Sequence, residues 1–330
     1  MAFPLFSKKN RIVNIIINDH SIRYVELKQA NSFLLNKCGE RFLPHGIITN
    51  GYINDIDTLT DILEECIEEW KIQKRQVRFL VPDSFVIIRK VSIPADVKND
   101  EIHSYLYLEL GSSIHLPFDE PVFDTVILSE GMDKKEVLIF AAQEEKVMIY
   151  ANLLSDLKLD PIAAEISPLA LYRLYHHLNE TKNDEHLLAV QFDVHMVNIS
   201  IFENHIPFFM HHIPSEYSQE KWDLKLNSSG HHELIYMGES NDVNYHFEDT
   251  YKEISRLMDF YRYTLNQGKK EVTKILINGD HPFLPLIMKA MENRFGVPIV
   301  TINDQQLKAI NENSVPNSYY LGLGLALKEV

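Results

Sequence analysis

Residues 187–212 read LLAVQFDVHMVNISIFENHIPFFMHH. Apolar runs of strand length at 187–192, 196–202 and 206–212 are separated by Asp193-Val194-His195 and Glu203-Asn204-His205, which carry turn chemistry. The chain opens on the same pattern. Residues 11–17 (RIVNIII) form one run and Asn18-Asp19-His20 a turn. A strand at 21–28 follows, then Gln29-Ala30-Asn31 and a third run at 32–36. The likeness is one of pattern and not of residues. Two three-stranded meanders of this kind indicate a duplicated, two-lobed α/β protein. Polar residues at 179–185 break the apolar periodicity and place the lobe boundary there, giving lobes at 1–180 and 181–330.

Outward from the first meander, residues 57–70 carry an apolar stripe at helical spacing (Leu59, Ile62, Leu63, Cys66, Ile67, Trp70). Strands are expected at 77–81 and 85–93. A small α+β subdomain then interrupts lobe 1 at about 94–160. Its helix is expected from Pro94 to Leu110, broken by His115-Leu116-Pro117-Phe118, with strands at 122–128 and 136–141 and a helix at 144–158. A strand at 162–166 leads to a helix opened by Ser167-Pro168. In lobe 2, residues 216–245 read as polar and irregular. They are followed by a helix at 247–266, a strand at 273–277, a helix at 285–295 and a strand at 298–302. A closing helix at 319–327 keeps Gly322 and Gly324, which weaken a helix unless close packing needs them. This helix, taken as 318–328, is expected to pack back on lobe 1.

The 330 residues are 45% hydrophobic, ample for two lobes, and 47 acidic against 32 basic side chains give a net charge of -15. That field repels a phosphate backbone, so nucleic acid is not an expected partner. Two cysteines, Cys38 and Cys66, cannot form a disulfide framework and read as reduced thiols. No apolar run reaches the roughly 20 residues that span a bilayer. Lys8, Lys9 and Arg11 follow the first apolar residues, unlike a secretory leader. Residues 3–9 (FPLFSKK) combine aromatic and basic side chains suited to an anionic membrane surface. Of the 15 histidines, the adjacent pair His211-His212 lies on a strand, so its rings point to opposite faces and cannot chelate one ion. No Walker loop or nucleophile elbow occurs.

Many short segments, in order, resemble the PilM family of type IV pilus assembly proteins, relatives of FtsA within the actin-like ATPase superfamily. They begin with the Phe-x-Leu-Phe-x-Lys-Lys start and the segment Ile22-Arg23-Tyr24-Val25-Glu26-Leu27. Val81-Pro82-Asp83-Ser84 with the strand ending at Ile93-Pro94 resembles the family's "(V/A)PGS…VIxRxIxxP". His115-Leu116-Pro117-Phe118-Asp119-Glu120 resembles "YIPFPxEE", Leu257-Met258-Asp259-Phe260-Tyr261 resembles "SLDFY", and residues 320–327 resemble "YAVALGLALR". The resemblance implies an actin-like (ribonuclease H-like, duplicated) fold in which ATP lies between two hairpin turns.

In the family the first turn reads "DIGSSSVK". Here Ile16 takes the place of its Asp, Asn18 that of its Gly, and Asp19 that of a Ser, while Ser21 and Arg23 remain as phosphate contacts. In the second turn, "VDIGASTTT", Gln191 replaces the Asp and Asp193 the Gly. The adenosine loop "SGGG" becomes Asn278-Gly279-Asp280-His281, keeping Gly279. The resemblance therefore implies a degenerate nucleotide site of Asn18, Ser21, Arg23, Asp193 and Gly279. A cation at Asp19 and Asp193 is the alternative use of the new carboxylates. The expected state is a pseudo-ATPase without cofactor, against an active Mg-ATP enzyme of actin-like or sugar-kinase-like type, or a filament former. The resemblance further implies a cytoplasmic scaffold at the inner membrane. It would bind the cytoplasmic N-terminal peptide of a PilN-like single-pass inner-membrane protein between lobe 1 and its insert, with Arg89, Glu109 and Phe118 as candidate contacts.

Overall fold

In a computed structural model the protein is described at residues 12–29, 34–214, 221–226, 232–238, 240–302, 307 and 315–329. Along the chain run β1 (Val13–Ile17), β2 (Ser21–Leu27), β3 (Leu35–Phe42), the two-residue strands β4 (Ile48–Thr49) and β5 (Tyr52–Ile53), α1 (Ile56–Trp70) and β6 (Gln76–Leu80). Next come β7 (Val86–Pro94), α2 (Ile102–Glu109), β8 (Pro121–Glu130), β9 (Lys134–Gln143), α3 (Glu144–Asp156), β10 (Asp160–Glu165) and α4 (Ser167–His177). The rest is β11 (His186–Phe192), β12 (Met196–Glu203), β13 (Ile206–Pro214), β14 (Trp222–Leu226), β15 (His232–Tyr236), α5 (Ser240–Asp259), β16 (Lys274–Asn278), α6 (Leu284–Arg294), β17 (Ile299–Val300) and α7 (Tyr320–Ala326). Two compact units result. One joins Met1–Leu80, Ala151–Asn179 and Ile302–Val330; the other joins Val81–Tyr150 and Glu180–Thr301.

The first unit holds a sheet of order β10-β6-β1-β2-β3, in which β1, β2 and β3 are antiparallel neighbours and β6 and β10 run parallel to β1. Strand β1 is buried along its whole length, which explains a run that is apolar but for Asn14, whose amide nitrogen donates to the Val25 carbonyl at 3.0 Å. Helix α1 starts on Asp55, whose carboxylate accepts the Thr58 N–H at 3.0 Å, and buries Leu59, Leu63, Cys66, Ile67 and Trp70. Helix α7 crosses β1 and β2, and its glycines are the reason it fits. A Cβ on Gly322 would stand 2.5 Å from Val25 Cγ2, and one on Gly324 would stand 2.0 Å from the Ala170 carbonyl oxygen. The helix ends on cations: Arg78 donates to the Ala326 carbonyl at 3.0 Å and Arg173 to that of Gly324 at 2.9 Å.

The second unit repeats the topology with the order β13-β12-β11-β16-β17. Again three antiparallel strands are followed by two parallel ones on the other side of the first. Val190, Phe192, Ile199 and Ile277 face α5 and α6, packing on Phe247, Tyr251, Ile287 and Met291. The same unit contains a separate three-stranded sheet, β7-β9-β8, covered by α2 through Ile93, Ile102, Leu106, Val137 and Ile139.

Several elements differ from the sequence expectation, among them the third strand of the first meander, expected at 32–36 and found as β3 at Leu35–Phe42. The helix expected from Pro94 starts at Ile102, because residues 95–101 form successive turns, Val97 N–H to Pro94 O and Glu101 N–H to Lys98 O. Lys135 holds those turns by donating to the Val97 carbonyl and to Asn99 Oδ1. The strand read as preceding the insert, β7, is paired with β9 along its whole length, so this sheet begins at Val86 and not near 94. The stretch read as irregular, 216–245, contains the β14–β15 hairpin and the first turn of α5. Trp222 and Tyr236 tie that hairpin to Phe283, a distant contact that no local pattern reveals. Past Asp259, residues Phe260–Leu265 continue with wider π-helical spacing. Residues 3–9, read as a membrane contact, lie outside the described residues. Among the described residues no helix is long and apolar enough to cross a membrane.

Candidate functional site

The first hairpin turn, between β1 and β2, closes with the Asn18 N–H donating to the Ser21 carbonyl at 2.8 Å. Asp19 turns outward from that hairpin. Its two carboxylate oxygens accept the backbone N–H groups of Asn50 at 2.6 Å and Gly51 at 3.0 Å, in a loop where both residues have positive φ. Ser21 is fully buried, and its hydroxyl has no hydrogen-bond partner among the described residues. Arg23, only 4% exposed, spends its charge across the sheet on Glu40, with Nε 2.5 Å from Oε1. Its Nη2 also lies 3.4 Å from His20 Nε2. Ile16, Arg23 and Glu40 are register neighbours on β1, β2 and β3.

The second turn is built differently. Asp193 N–H donates to the Met196 carbonyl at 2.9 Å, and the Gln191 amide nitrogen donates to the Asp193 carboxylate. Gln191 stands in register between Asn198 on β12 and Asn278 on β16, and Asn198 in turn faces His212 on β13. Asn198 donates to Asp83 Oδ2 at 2.8 Å. Burial and the neighbouring His211 push the His212 pKa down. A polar row thus crosses four strands of an otherwise apolar sheet. Sequence reading treated Gln191 as a lost aspartate and missed the row. Its signal was a polar residue within or at the edge of each strand's apolar run.

Gly279 follows β16 with φ 141°, and a Cβ there would lie 1.8 Å from the Phe192 carbonyl oxygen. Only glycine lets the two strand ends meet. Asp193 and Gly279 are therefore brought close through Phe192. The next residues are not open either. The His281 N–H donates to the Phe192 carbonyl at 3.1 Å, and its ring sits among Phe247, Trp222 and Phe283 at centroid distances of 5.2, 5.5 and 5.7 Å. Among the described residues no three His, Cys, Asp or Glu side chains gather as metal ligands.

Arg89, Glu109 and Phe118 share one segment of the small subdomain. Arg89 on β7 donates to the His115 carbonyl. Glu109, the last residue of α2, accepts the N–H groups of Ser113 and Ile114 at its carbonyl, both at 3.0 Å, and the Ser113 hydroxyl at its carboxylate. Phe118 is half-buried against the subdomain core. All three shape the loop from 110 to 118. Beside it, Tyr107 is 63% and Leu108 78% exposed, so the short helix α2 is apolar on its outer side as well. The helical stripe of Ile102, Tyr105, Leu106 and Leu110 drew attention to the inner face and away from this pair.

The fold has counterparts among solved structures. The chain is similar to a structure titled "PilM-PilN type IV pilus biogenesis complex", at 17% identity and TM-score 0.72, covering 96% of this chain and 98% of that one. It is also similar, at 9% identity and TM-score 0.50, to MreB5 of Spiroplasma citri bound to ADP, over 96% of this chain and 95% of the other. The fold is accordingly actin-like. The sequence profile of the type IV pilus assembly protein PilM family matches residues 14–214, which span both meanders and the small subdomain, and the chain belongs to that family.

Proposed function

We propose that the protein is a scaffold of pilus-type assembly on the cytoplasmic face of the inner membrane. It would hold the short cytoplasmic N-terminal peptide of a PilN-like single-pass protein. The observation that carries this reading is the near full-length likeness to PilM in a PilM–PilN complex. The small subdomain supplies suitable chemistry: a loop held by Arg89 and Glu109, anchored by Phe118, beside the exposed Tyr107 and Leu108. An extended peptide with apolar anchors suits such a surface. Residues 3–9 would add a peripheral membrane contact. The machine served, whether pilus, secretion system or DNA uptake, follows from the partner's identity.

The protein acts in this reading without hydrolysing nucleotide. Asp19 is engaged by two backbone amides, Arg23 by Glu40, and the His281 ring by aromatic neighbours. These commitments oppose a phosphate at Asn18, Ser21 and Arg23, a base near Gly279, and a cation shared by Asp19 and Asp193. The second reading, a working Mg-ATP enzyme, is favoured by the likeness to nucleotide-bound MreB5. Two titrations separate the readings. Fluorescence anisotropy with a labelled peptide from the PilN-like protein of the same host should give saturable binding, weakened at least tenfold by Leu108→Glu. Calorimetry with Mg-ATP should give no heat of binding. Absence of peptide binding removes the scaffold reading, and micromolar Mg-ATP affinity removes the pseudo-ATPase.

A further inference from the structure

The row of amides on the second sheet leaves acceptors unused. Gln191, Asn198 and Asn278 are each no more than 4% exposed, yet Gln191 Oε1, Asn198 Oδ1 and Asn278 Oδ1 have no hydrogen-bond partner among the described residues. The hydroxyl of Ser200, 1% exposed and two residues along β12 on the same face, has none either. These side chains lie on the face of the sheet opposite Val190, Phe192, Ile199 and Ile277, which pack under the helices. Buried acceptors are normally satisfied, and four on one face mark a place where a ligand substitutes for protein donors.

The orientation of two amides is set from behind. Gln191 donates its nitrogen to Asp193 and Asn198 donates its nitrogen to Asp83, so the oxygen and not the nitrogen of each remains free. Gln191 stands between its register neighbours Asn198 and Asn278, each about 4.5–5.5 Å away at Cβ, so an ion seated over Gln191 lies between the two asparagine oxygens. Oxygen donors select hard cations. The carboxylates stand behind the amide nitrogens, where they polarise the carbonyl groups and supply negative charge without direct ligation. A shell of neutral oxygens compensates a single charge better than a double one.

We propose that Gln191, Asn198 and Asn278 form a buried site for a dehydrated monovalent cation, Na+ or K+, with Asp83 and Asp193 as its outer shell. The site is separate from the peptide-binding reading and does not rest on it. It stabilises the second unit and gives the altered turn a task other than holding a nucleotide.

The test uses the full chain, exchanged into choline chloride, with NaCl or KCl titrated in at constant ionic strength. Saturable binding should raise the melting temperature by about 3–6 °C for one or both ions. Gln191→Met and Asn278→Leu should each abolish that difference. Sodium NMR linewidths on the unaltered protein give a second readout that survives misfolding of a variant; broadening reversed by excess K+ is expected. Equal melting temperatures in all three salts, with no sodium broadening, overturn the proposal and leave ordinary buried water on the row. A rise produced by Mg2+ or Ca2+ alone overturns the monovalent assignment.

Discussion

The two large sheets have the same strand order and the same hand-off from antiparallel to parallel pairing, yet corresponding rows near their first turns are chemically opposite. In the first sheet the row is Ile16, Arg23 and Glu40: one hydrocarbon and one closed ion pair. In the second it is Asn278, Gln191, Asn198 and His212, all uncharged side chains or an imidazole whose pKa burial depresses. The resemblance to the family places an aspartate at both Ile16 and Gln191. On that reading core fills the position in one sheet and a row of acceptors fills it in the other, and the chemistry of the side chain standing there decides whether a binding surface remains.

The comparison breaks most readily at the glycines that let each unit close. Gly279→Ala and Gly324→Ala drive a Cβ into backbone at 1.8 Å and 2.0 Å, where no side-chain movement can relieve it. Each should cost about 3 kcal/mol or more, visible as a lowered denaturant midpoint or failure to fold. Arg23→Met comes next. It strands Glu40 beside a buried strand and should cost about 2–4 kcal/mol, with Glu40→Gln restoring part of the loss in the double variant. If Arg23→Met is neutral in chemical denaturation, the first row is not held by its ion pair.

A smaller effect sharpens the contrast at the far end of β12, where the second sheet does carry an ion pair. Tyr261 donates to Glu203 at 2.7 Å and Lys270 reaches its other oxygen at 2.6 Å. Burial pushes the Glu203 carboxyl up, but the bonds from Lys270 and Tyr261 outweigh it and hold it below the ordinary glutamate value. A depressed carboxylate contributes fully above its unfolded pKa, and that contribution fades as the pH falls through the folded one. Acid unfolding of Glu203→Gln should therefore begin from a stability lower by about 1 kcal/mol at neutral pH and show a shallower loss below pH ~4.5. Smallest of all, Gln191→Met in choline chloride should change stability by less than about 1 kcal/mol, because it removes an unsatisfied oxygen along with a hydrogen bond. A large loss there would mean that the amide row is structural without any ion.

Much of this was legible before folding. The runs at 187–212 carried the meander because buried strands are mostly apolar, with Gln191, Asn198 and Ser200 as buried polar exceptions. Gly322 and Gly324 betrayed close packing because nothing local recommends glycine inside a helix. The hairpin of Trp222 and Tyr236 was not legible, since its strands are short and their aromatic anchors lie on another element. The late start of α2 was hidden because Lys135, a residue of β9, stabilises the turns that displace its first residues.

The candidate site divides in the same way. The resemblance to the family, read from residue identities, implied that both turns differ from the family pattern and carry Asp19 and Asp193 in place of its residues. What each change does was decided by tertiary structure. Asp19 is satisfied by amides 31 and 32 residues further along the chain, and Arg23 by a partner 17 residues away. The cross-strand row exists only once β11, β12, β13 and β16 are in register. Local sequence determines the period and polarity of a strand, because these depend on which faces are buried. Which side chains stand side by side depends on pairing between distant segments, and that is set by the packing of the whole unit.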